Sequence, residues 1–178
     1  LVMNAIDAGA TKVDLTLDVK GHFVLQDDGK GFRSRDEIEA FFETFGTPHT
    51  KGDAMYGRFR IGRGQIMAYA KTQWRSGLYE MHVDFQDQES HGYDLIVHQD
   101  MASGCRITGQ LYIGSGNWVK GIQEILDRDG KLKNTLFATA IKYVTTPIFL
   151  NGIQINESIE SANWTMENDF AYFKFEKN

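Results

Sequence analysis

The first residues whose types could do chemistry are Asn4, Asp7 and Ala8, in the run Asn-Ala-Ile-Asp-Ala near the start of the chain. Apolar residues from Leu1 onward have helical spacing and stop at Gly9, so the run is predicted to lie on a helix. Residues three and four apart share a helix face, which brings an amide and a carboxylate together. Such oxygens suit a hydrated magnesium ion. The plainer interpretation is a polar helix face with alanines packed inward.

A second candidate is the acidic turn from Asp27 to Gly31, Asp-Asp-Gly-Lys-Gly, which directly follows a predicted strand. Glycines let the backbone turn sharply and approach a ligand closely. The carboxylate of Asp27 can accept a hydrogen bond from the exocyclic amine of adenine, whereas the carbonyl of guanine would cost roughly 1–3 kcal/mol there. The alternatives are a plain acidic turn and a weak calcium loop. Phe32 and Arg33 interrupt the oxygen ligands that an EF-hand needs.

A third candidate is the glycine- and arginine-rich run from Gly57 to Gly64, which leads into a predicted helix. Backbone N–H groups at a glycine-rich helix start form an anion site that the helix dipole reinforces. Arg58, Arg60 and Arg63 could add charge-assisted contacts to phosphate oxygens. The run is not a Walker A loop, because the Gly-Lys-Ser/Thr ending is missing. The competing interpretation is a flexible basic surface loop.

The rest of the pattern predicts the elements that position these three runs. A capping box at Ser34-Arg35-Asp36-Glu37 begins a helix, and a long loop over residues 46–64 precedes a short helix at Ile66–Ala70. Helical residues are expected within 117–143, and Asn151-Gly152 predicts a hairpin. Alternation predicts strands at 12–19, 22–26, 79–85, 93–97, 105–111 and 170–175. This order predicts an α+β fold, a two-layer sandwich with helices on one face of a mostly antiparallel sheet.

Composition limits the class of protein. The chain has 178 residues, a net charge of −5 and ordinary apolar content, which fits one globular domain and gives no overall attraction to nucleic acid. A single cysteine, Cys105, excludes an internal disulfide and fits a reducing, cytoplasmic compartment. Its strand position favours a small buried residue over a nucleophile. No apolar stretch approaches the roughly 20 residues of a membrane span, so no membrane partner is expected.

The three runs, in this order and spacing, resemble the motifs of GHKL-type ATPases, the family of gyrase B subunits, heat-shock chaperones, sensor kinases and MutL. Asn4 to Ala8 is similar to the end of the family's Glu-x-x-x-Asn-Ala-x-Asp-Ala helix, and Asp27 to Gly31 to its Asp-x-Gly-x-Gly turn. Phe45 to Lys51 resembles the opening of the ATP lid, and Gly57 to Gly64 resembles the glycine motif that closes it. Gly104 to Ile107 resembles the family's Gly-Thr-x-Ile strand.

The resemblance implies the Bergerat fold, with ATP and magnesium as cofactors. It implies that Asn4 coordinates magnesium, that Asp27 binds the adenine amine and that Gly31 lies under the base. The nucleotide-binding residues that it implies are Asn4, Asp7, Ala8, Asp27, Gly29, Gly31, Phe32, Thr47, Lys51, Gly57, Arg60, Ile61, Gly62, Arg63, Gly64 and Cys105.

The sequence also departs from the family pattern. The family's general-base Glu would lie four residues before Asn4, outside these residues, so no catalytic residue is expected within them. Cys105 stands where the family often has Thr, and Arg60 where gyrase and chaperone members often have Gly. Residues 1–178 are expected to form one ATP-binding domain truncated at its N-terminus, with the ATP lid at 46–64 and a C-terminal extension at 156–178.

Three functions stay open at this point. The first is an ATPase in which nucleotide drives lid closure and self-association, with a protein or DNA partner recognised through further domains. The second is a phosphotransferase of the sensor-kinase type, which Asp7-Ala8 disfavours because such kinases usually lack that pair. The third is a non-catalytic module that senses nucleotide.

Overall fold

A computed structural model describes residues 1–18, 20–42, 62–87, 92–112, 136–142, 144–157, 164–168, 171–173 and 175. None of the helices within these ranges has the length and apolar character needed to cross a bilayer. The helices are α1 Val2–Asp7, α2 Arg35–Phe42, α3 Gly62–Tyr69 and α4 Leu136–Ile141. The strands are β1 Val13–Leu17, β2 His22–Asp27, β3 Ala70–Val83, β4 Tyr93–Leu111, β5 Ile148–Leu150, β6 Ile153–Gln154, β7 Met166–Asn168 and β8 Ala171–Phe173.

Six strands of the described residues form one sheet in the order β3-β4-β2-β1-β5-β6. Its neighbours run antiparallel except β1 and β5, which are parallel. Strands β7 and β8 form a separate antiparallel pair, which falls within the predicted C-terminal extension. The mostly antiparallel sheet therefore agrees with the prediction.

The sheet has one apolar face and one polar face. Register places Leu25, Ile107 and Trp74 side by side on three strands, and all three side chains are buried. On the same face, the four helices of the described ranges contribute to one hydrophobic core there through Ala5, Ile38, Met67 and Ile141. The next row along the strands, Gln26, Arg106 and Arg75, is polar and lies on the opposite face. The predicted two-layer α+β sandwich is thus confirmed.

Two local predictions are confirmed by their hydrogen bonds and dihedrals. The Ser34 hydroxyl accepts the N–H of Glu37 at 3.2 Å, which is one of the two bonds of a capping box, whereas the Glu37 carboxylate accepts the N–H of Arg33, one residue before the cap, at 2.7 Å. Between β5 and β6, Asn151 and Gly152 have φ of 50° and 83°. Left-handed dihedrals at both positions are what a two-residue hairpin turn needs.

The strand boundaries in the middle of the chain were predicted wrongly. Ala70 begins β3 and does not end a helix, and the strand runs through Trp74 to Val83. The two predicted strands at 93–97 and 105–111 are one strand, β4. The cause is a shift of the β3–β4 register around Ser76 and Gly77, which interrupts the alternation of apolar residues that the sequence analysis used.

Candidate functional site

The site is built around Asp27, the last residue of β2. Its side chain is buried, with 5% of the residue exposed, on the face of the sheet that carries the helices. The carboxylate oxygen Oδ1 accepts the backbone N–H of Gly29 at 2.9 Å and that of Cys105 at 3.2 Å. One oxygen is therefore fixed from two directions, by the following turn and by the neighbouring strand β4.

The second oxygen of Asp27, Oδ2, accepts no hydrogen bond from any described residue. Burial raises the pKa of this carboxyl above its ordinary value, although the N–H groups of Gly29 and Cys105 act in the opposite direction. A buried acceptor without a partner is costly unless a ligand supplies a donor. The arrangement thus offers one oriented acceptor atom to a bound molecule.

Asp28, next in sequence, has a different role. Its carboxylate accepts the N–H of Thr11 at 2.7 Å and that of Lys12 at 3.0 Å, and it also accepts the Thr11 hydroxyl. The hydrogen bond from the Thr11 hydroxyl is the main reason why the pKa of Asp28 is lowered. Asp28 therefore fixes the chain between α1 and β1, and Asp27 is the acid of the pair with an oxygen that accepts no hydrogen bond from the described residues.

The turn after Asp27 packs tightly against the end of α1. Lys30 donates its backbone N–H to the carbonyl of Ala8 at 3.0 Å. A Cβ added to Gly29 would lie 3.0 Å from both the Cβ and the carbonyl oxygen of Ala8, so a larger residue would push the helix away. The first and second predicted motifs are therefore in contact in the folded protein.

Helix α1 presents its polar residues away from the centre of the core. Val2 and Ala5 are buried, whereas Asn4, Asp7 and Ala8 are half-buried. By its helical spacing Asn4 shares a face with Asp7, and Ala8 directly follows the last residue of the helix. The same short helix thus carries the predicted magnesium ligand and the contact to the turn that is predicted to bind adenine.

Gly31 lies where three chain segments meet. Its φ is +60°, and an added Cβ would lie 2.4 Å from the hydroxyl oxygen of Ser76 and 2.7 Å from the carbonyl oxygen of Gly104. Only glycine fits such a position, because a side chain would collide with both groups. The close approach places the Gly31 backbone beside the strand that donates to Asp27.

Cys105 contributes its backbone, not its thiol. Its N–H bonds to Asp27, while its side chain is buried and the pKa of the thiol is raised to about 12 by burial and by the nearby carboxylate. A thiol with such a pKa stays protonated at neutral pH and is a poor nucleophile. The structure agrees with the interpretation of Cys105 as a small buried strand residue.

Phe32 belongs to an aromatic cluster on α2 and the sheet. Its ring lies 5.1 Å from that of Phe41, edge to face, and 6.0 Å from that of Phe42. Phe42 in turn lies 5.4 Å from Trp74 and 5.1 Å from Tyr93. Phe32 therefore anchors the chain that leaves Gly31, and its role as a nucleotide contact stays a prediction.

Part of the predicted lid lies outside the described residues. Gly62, Arg63 and Gly64 form the first turn of α3, which confirms a glycine-rich helix start there but begins the helix earlier than the predicted Ile66. The other predicted phosphate contacts, Thr47, Lys51, Gly57, Arg60 and Ile61, fall outside the residues that the structure describes.

Ser76 is a site residue that the sequence analysis missed. It is fully buried in β3, and its hydroxyl donates to the carbonyl of Gly104 at 2.7 Å and accepts the N–H of Phe32 at 2.9 Å. The available signal was the Ser-Gly pair that interrupts an otherwise alternating run. A glycine within a strand pattern often marks a bulge or a close backbone approach.

Comparison with known proteins identifies the class to which this chain belongs. Over residues 1–98 the sequence matches the family described as histidine kinase-, DNA gyrase B-, and HSP90-like ATPase. The match includes Asn4, Asp27 and Gly31 and extends over more than half of the 178 residues. The chain belongs to this family of GHKL-type ATPases. No curated protein matches the sequence significantly.

Solved structures of a topoisomerase II ATPase region share the fold of this chain. The ATPase region of Saccharomyces cerevisiae topoisomerase II aligns at a TM-score of 0.54 and 13% identity, over 88% of this chain and 48% of that one. The same region bound to ICRF-187 (dexrazoxane) aligns at 0.51 and 12% identity, with the same coverage. The Aquifex aeolicus MutL ATPase domain complexed with ADP gives 0.49 at 16% identity, over 88% of this chain and 60% of that one. The chain thus spans about half the length of the topoisomerase II regions and shares their fold.

Proposed function

We propose that this protein is a magnesium-dependent ATPase in which Asp27 recognises the adenine base. The observation that carries the proposal is the buried carboxylate, with Oδ1 held by two backbone amides and Oδ2 accepting nothing from the described residues. The exocyclic amine of adenine is a donor that would satisfy Oδ2. The family membership of the chain supports ATP as the nucleotide.

The residues around Asp27 fit the rest of the nucleotide. The backbone N–H of Cys105 lies beside the carboxylate, and the family pattern would place the Gly31 backbone under the base. Asn4 and Asp7 on α1 would hold magnesium through oxygen atoms, directly or through water, as this ion prefers. Magnesium bound there would neutralise charge on the phosphates. The N-terminal turn of α3 would bind phosphate oxygens through its N–H groups.

Calorimetric titration tests this proposal directly. We expect ATP to bind about tenfold or more tightly than GTP, because guanine offers a carbonyl where Asp27 needs a donor. Chelation of magnesium with EDTA is expected to weaken ATP binding and to leave adenosine binding unchanged. Equal affinities for ATP and GTP would contradict the role of Asp27, and equal ATP affinity with and without magnesium would contradict the metal assignment.

We further propose that residues 46–64 close over the phosphates of bound ATP and that ATP promotes self-association. The basic and glycine-rich sequence of this segment supports the first part, because its charges complement a triphosphate. Hydrogen exchange in residues 46–64 is expected to slow when a non-hydrolysable ATP analogue with magnesium saturates the protein, with exchange in β1 as the internal control. The mass measured by light scattering is expected to double. Unchanged exchange at saturation would contradict lid closure, and an unchanged mass would contradict dimerisation.

A further inference from the structure

The pairing of β3 with β4 changes register between Ser76 and Gly77. Ser76 is therefore the last regularly paired residue before the shift. The residue is completely inaccessible to solvent. Its hydroxyl uses both of its capacities at once, as a donor to the Gly104 carbonyl at 2.7 Å and as an acceptor from the Phe32 N–H at 2.9 Å. A single side chain therefore joins the bulged part of β4 to the chain that follows the Asp27 turn.

Both segments that Ser76 joins contain a residue of the proposed base site. Gly104 immediately precedes Cys105, whose N–H donates to Oδ1 of Asp27 at 3.2 Å. Phe32 immediately follows Gly31, and a Cβ added to Gly31 would lie 2.4 Å from the Ser76 hydroxyl oxygen. A change at this hydroxyl would consequently move the Cys105 amide or the Gly31 backbone relative to Asp27.

We propose that Ser76 is a positioning residue for adenine specificity, since it sets the distance between the Asp27 carboxylate, the Cys105 amide and the backbone of Gly31. Ser76 does not itself touch the base, because the hydrogen bonds of its hydroxyl, including one with the Cys105 thiol, are internal and the residue has no accessible surface. It acts through Cys105, which holds Oδ1 and so aims Oδ2 at the ligand. The inference rests on the proposed binding of ATP at Asp27.

The chain offers a matched control for the loss of a buried hydroxyl. Thr72 is also buried in β3, and its hydroxyl accepts the indole N–H of Trp74 at 2.9 Å. It contacts neither Gly104 nor the Asp27 turn through any of its hydrogen bonds among the described residues. Thr72→Val therefore removes a buried hydroxyl from the same strand and lowers stability without changing the base site.

The first measurement needs no nucleotide. The chain contains one cysteine, so labelling with 15N-cysteine gives a single amide resonance, that of Cys105. Ser76→Ala is expected to move this resonance upfield, because the Cys105 N–H shifts away from Asp27 and its hydrogen bond lengthens. Thr72→Val is expected to leave it in place. An unmoved resonance in folded Ser76→Ala would overturn the proposal.

The second measurement is nucleotide preference. Ser76→Ala is expected to reduce the ratio of ATP to GTP affinity by about tenfold, with affinity for inorganic triphosphate within about twofold of the original. Thr72→Val is expected to keep the original ratio. A preserved ratio in Ser76→Ala, or an equal loss in Thr72→Val, would overturn the positioning role. No ATP binding by the unaltered protein would instead contradict the proposed function, which separates the two failures.

A second variant covers the case in which Ser76→Ala does not fold. Ser76→Thr keeps the hydroxyl that joins Gly104 to Phe32. It is expected to retain the preference for ATP. A folded Ser76→Thr protein that has lost the ATP preference would contradict the proposal, because the joining hydroxyl would still be present.

Discussion

Asp27→Asn is expected to lower ATP affinity by roughly ten- to a hundredfold and to leave affinity for inorganic triphosphate nearly unchanged. The asparagine oxygen can still accept the N–H groups of Gly29 and Cys105 that now bond to Oδ1. Its amide nitrogen then replaces Oδ2 and presents a donor to the adenine amine, which is also a donor. Isothermal titration measures the affinities for ATP, GTP and triphosphate. Only the affinity that depends on the adenine base is expected to fall.

The same variant is expected to be as stable as the original protein at neutral pH, or more stable. Because burial raises the pKa of Asp27 in the folded state, its stabilising contribution is fully present only below the unfolded value of 3.8 and is lost as pH rises through the folded pKa. Asparagine carries no charge and has no such loss. Urea unfolding from about pH 4 to pH 7 should therefore show that Asp27→Asn gains stability relative to the original protein as pH increases.

Asp28→Asn is the matched control, since it changes the adjacent acid. Removal of the Asp28 carboxylate weakens the hydrogen bonds from Thr11 and Lys12. Because the pKa of Asp28 is lowered in the folded state, its ionised form stabilises the fold above the unfolded pKa. Asp28→Asn should lose stability and keep the preference for ATP, the reverse of Asp27→Asn. The functional assignment of the two acids would be wrong if Asp28→Asn, and not Asp27→Asn, removed the preference.

The polar motifs were predictable because they depend on local chemistry. Asp27 follows an alternating strand and precedes two glycines, and this combination identifies an acid at a sharp turn from residue types alone. The shared face of Asn4 and Asp7 follows from helical spacing in the same way. The local sequence distinguishes Asp27 from Asp28 only by the alternation of faces along β2, which places Asp27 on the buried face with Leu25.

The parts that escaped prediction depend on contacts between distant segments. Ser76 meets Gly104 across 28 positions and Phe32 across 44, and no pattern within β3 reveals either partner. The continuity of β4 was missed because its middle residues pair irregularly with β3 and do not alternate between buried and exposed. Register is set by the partner strand, which a local reading of the sequence does not include.

Gly104→Ala is expected to have the largest effect on the fold of any single methyl addition at the site. The added Cβ would lie 2.0 Å from the carbonyl oxygen of Asp27 and 2.9 Å from the Cα of Asp28, and φ of +65° already disfavours any residue with a Cβ. These neighbours are backbone atoms at the end of β2, so no side-chain rotation relieves the collision. We expect a loss of about 3–5 kcal/mol in the free energy of unfolding.

Gly152→Ala separates the collision from the dihedral strain. Gly152 has a similar φ of +83° but nothing within 4 Å of its Cβ position, so only the strain remains, about 1 kcal/mol. In Gly104→Ala the strand must also move away from Asp27, which takes the Cys105 N–H from Oδ1 and should lower ATP affinity in the folded fraction. Gly152→Ala is expected to bind ATP normally. Equal losses of stability in the two variants would mean that β4 does not approach the Asp27 turn as closely as this site requires.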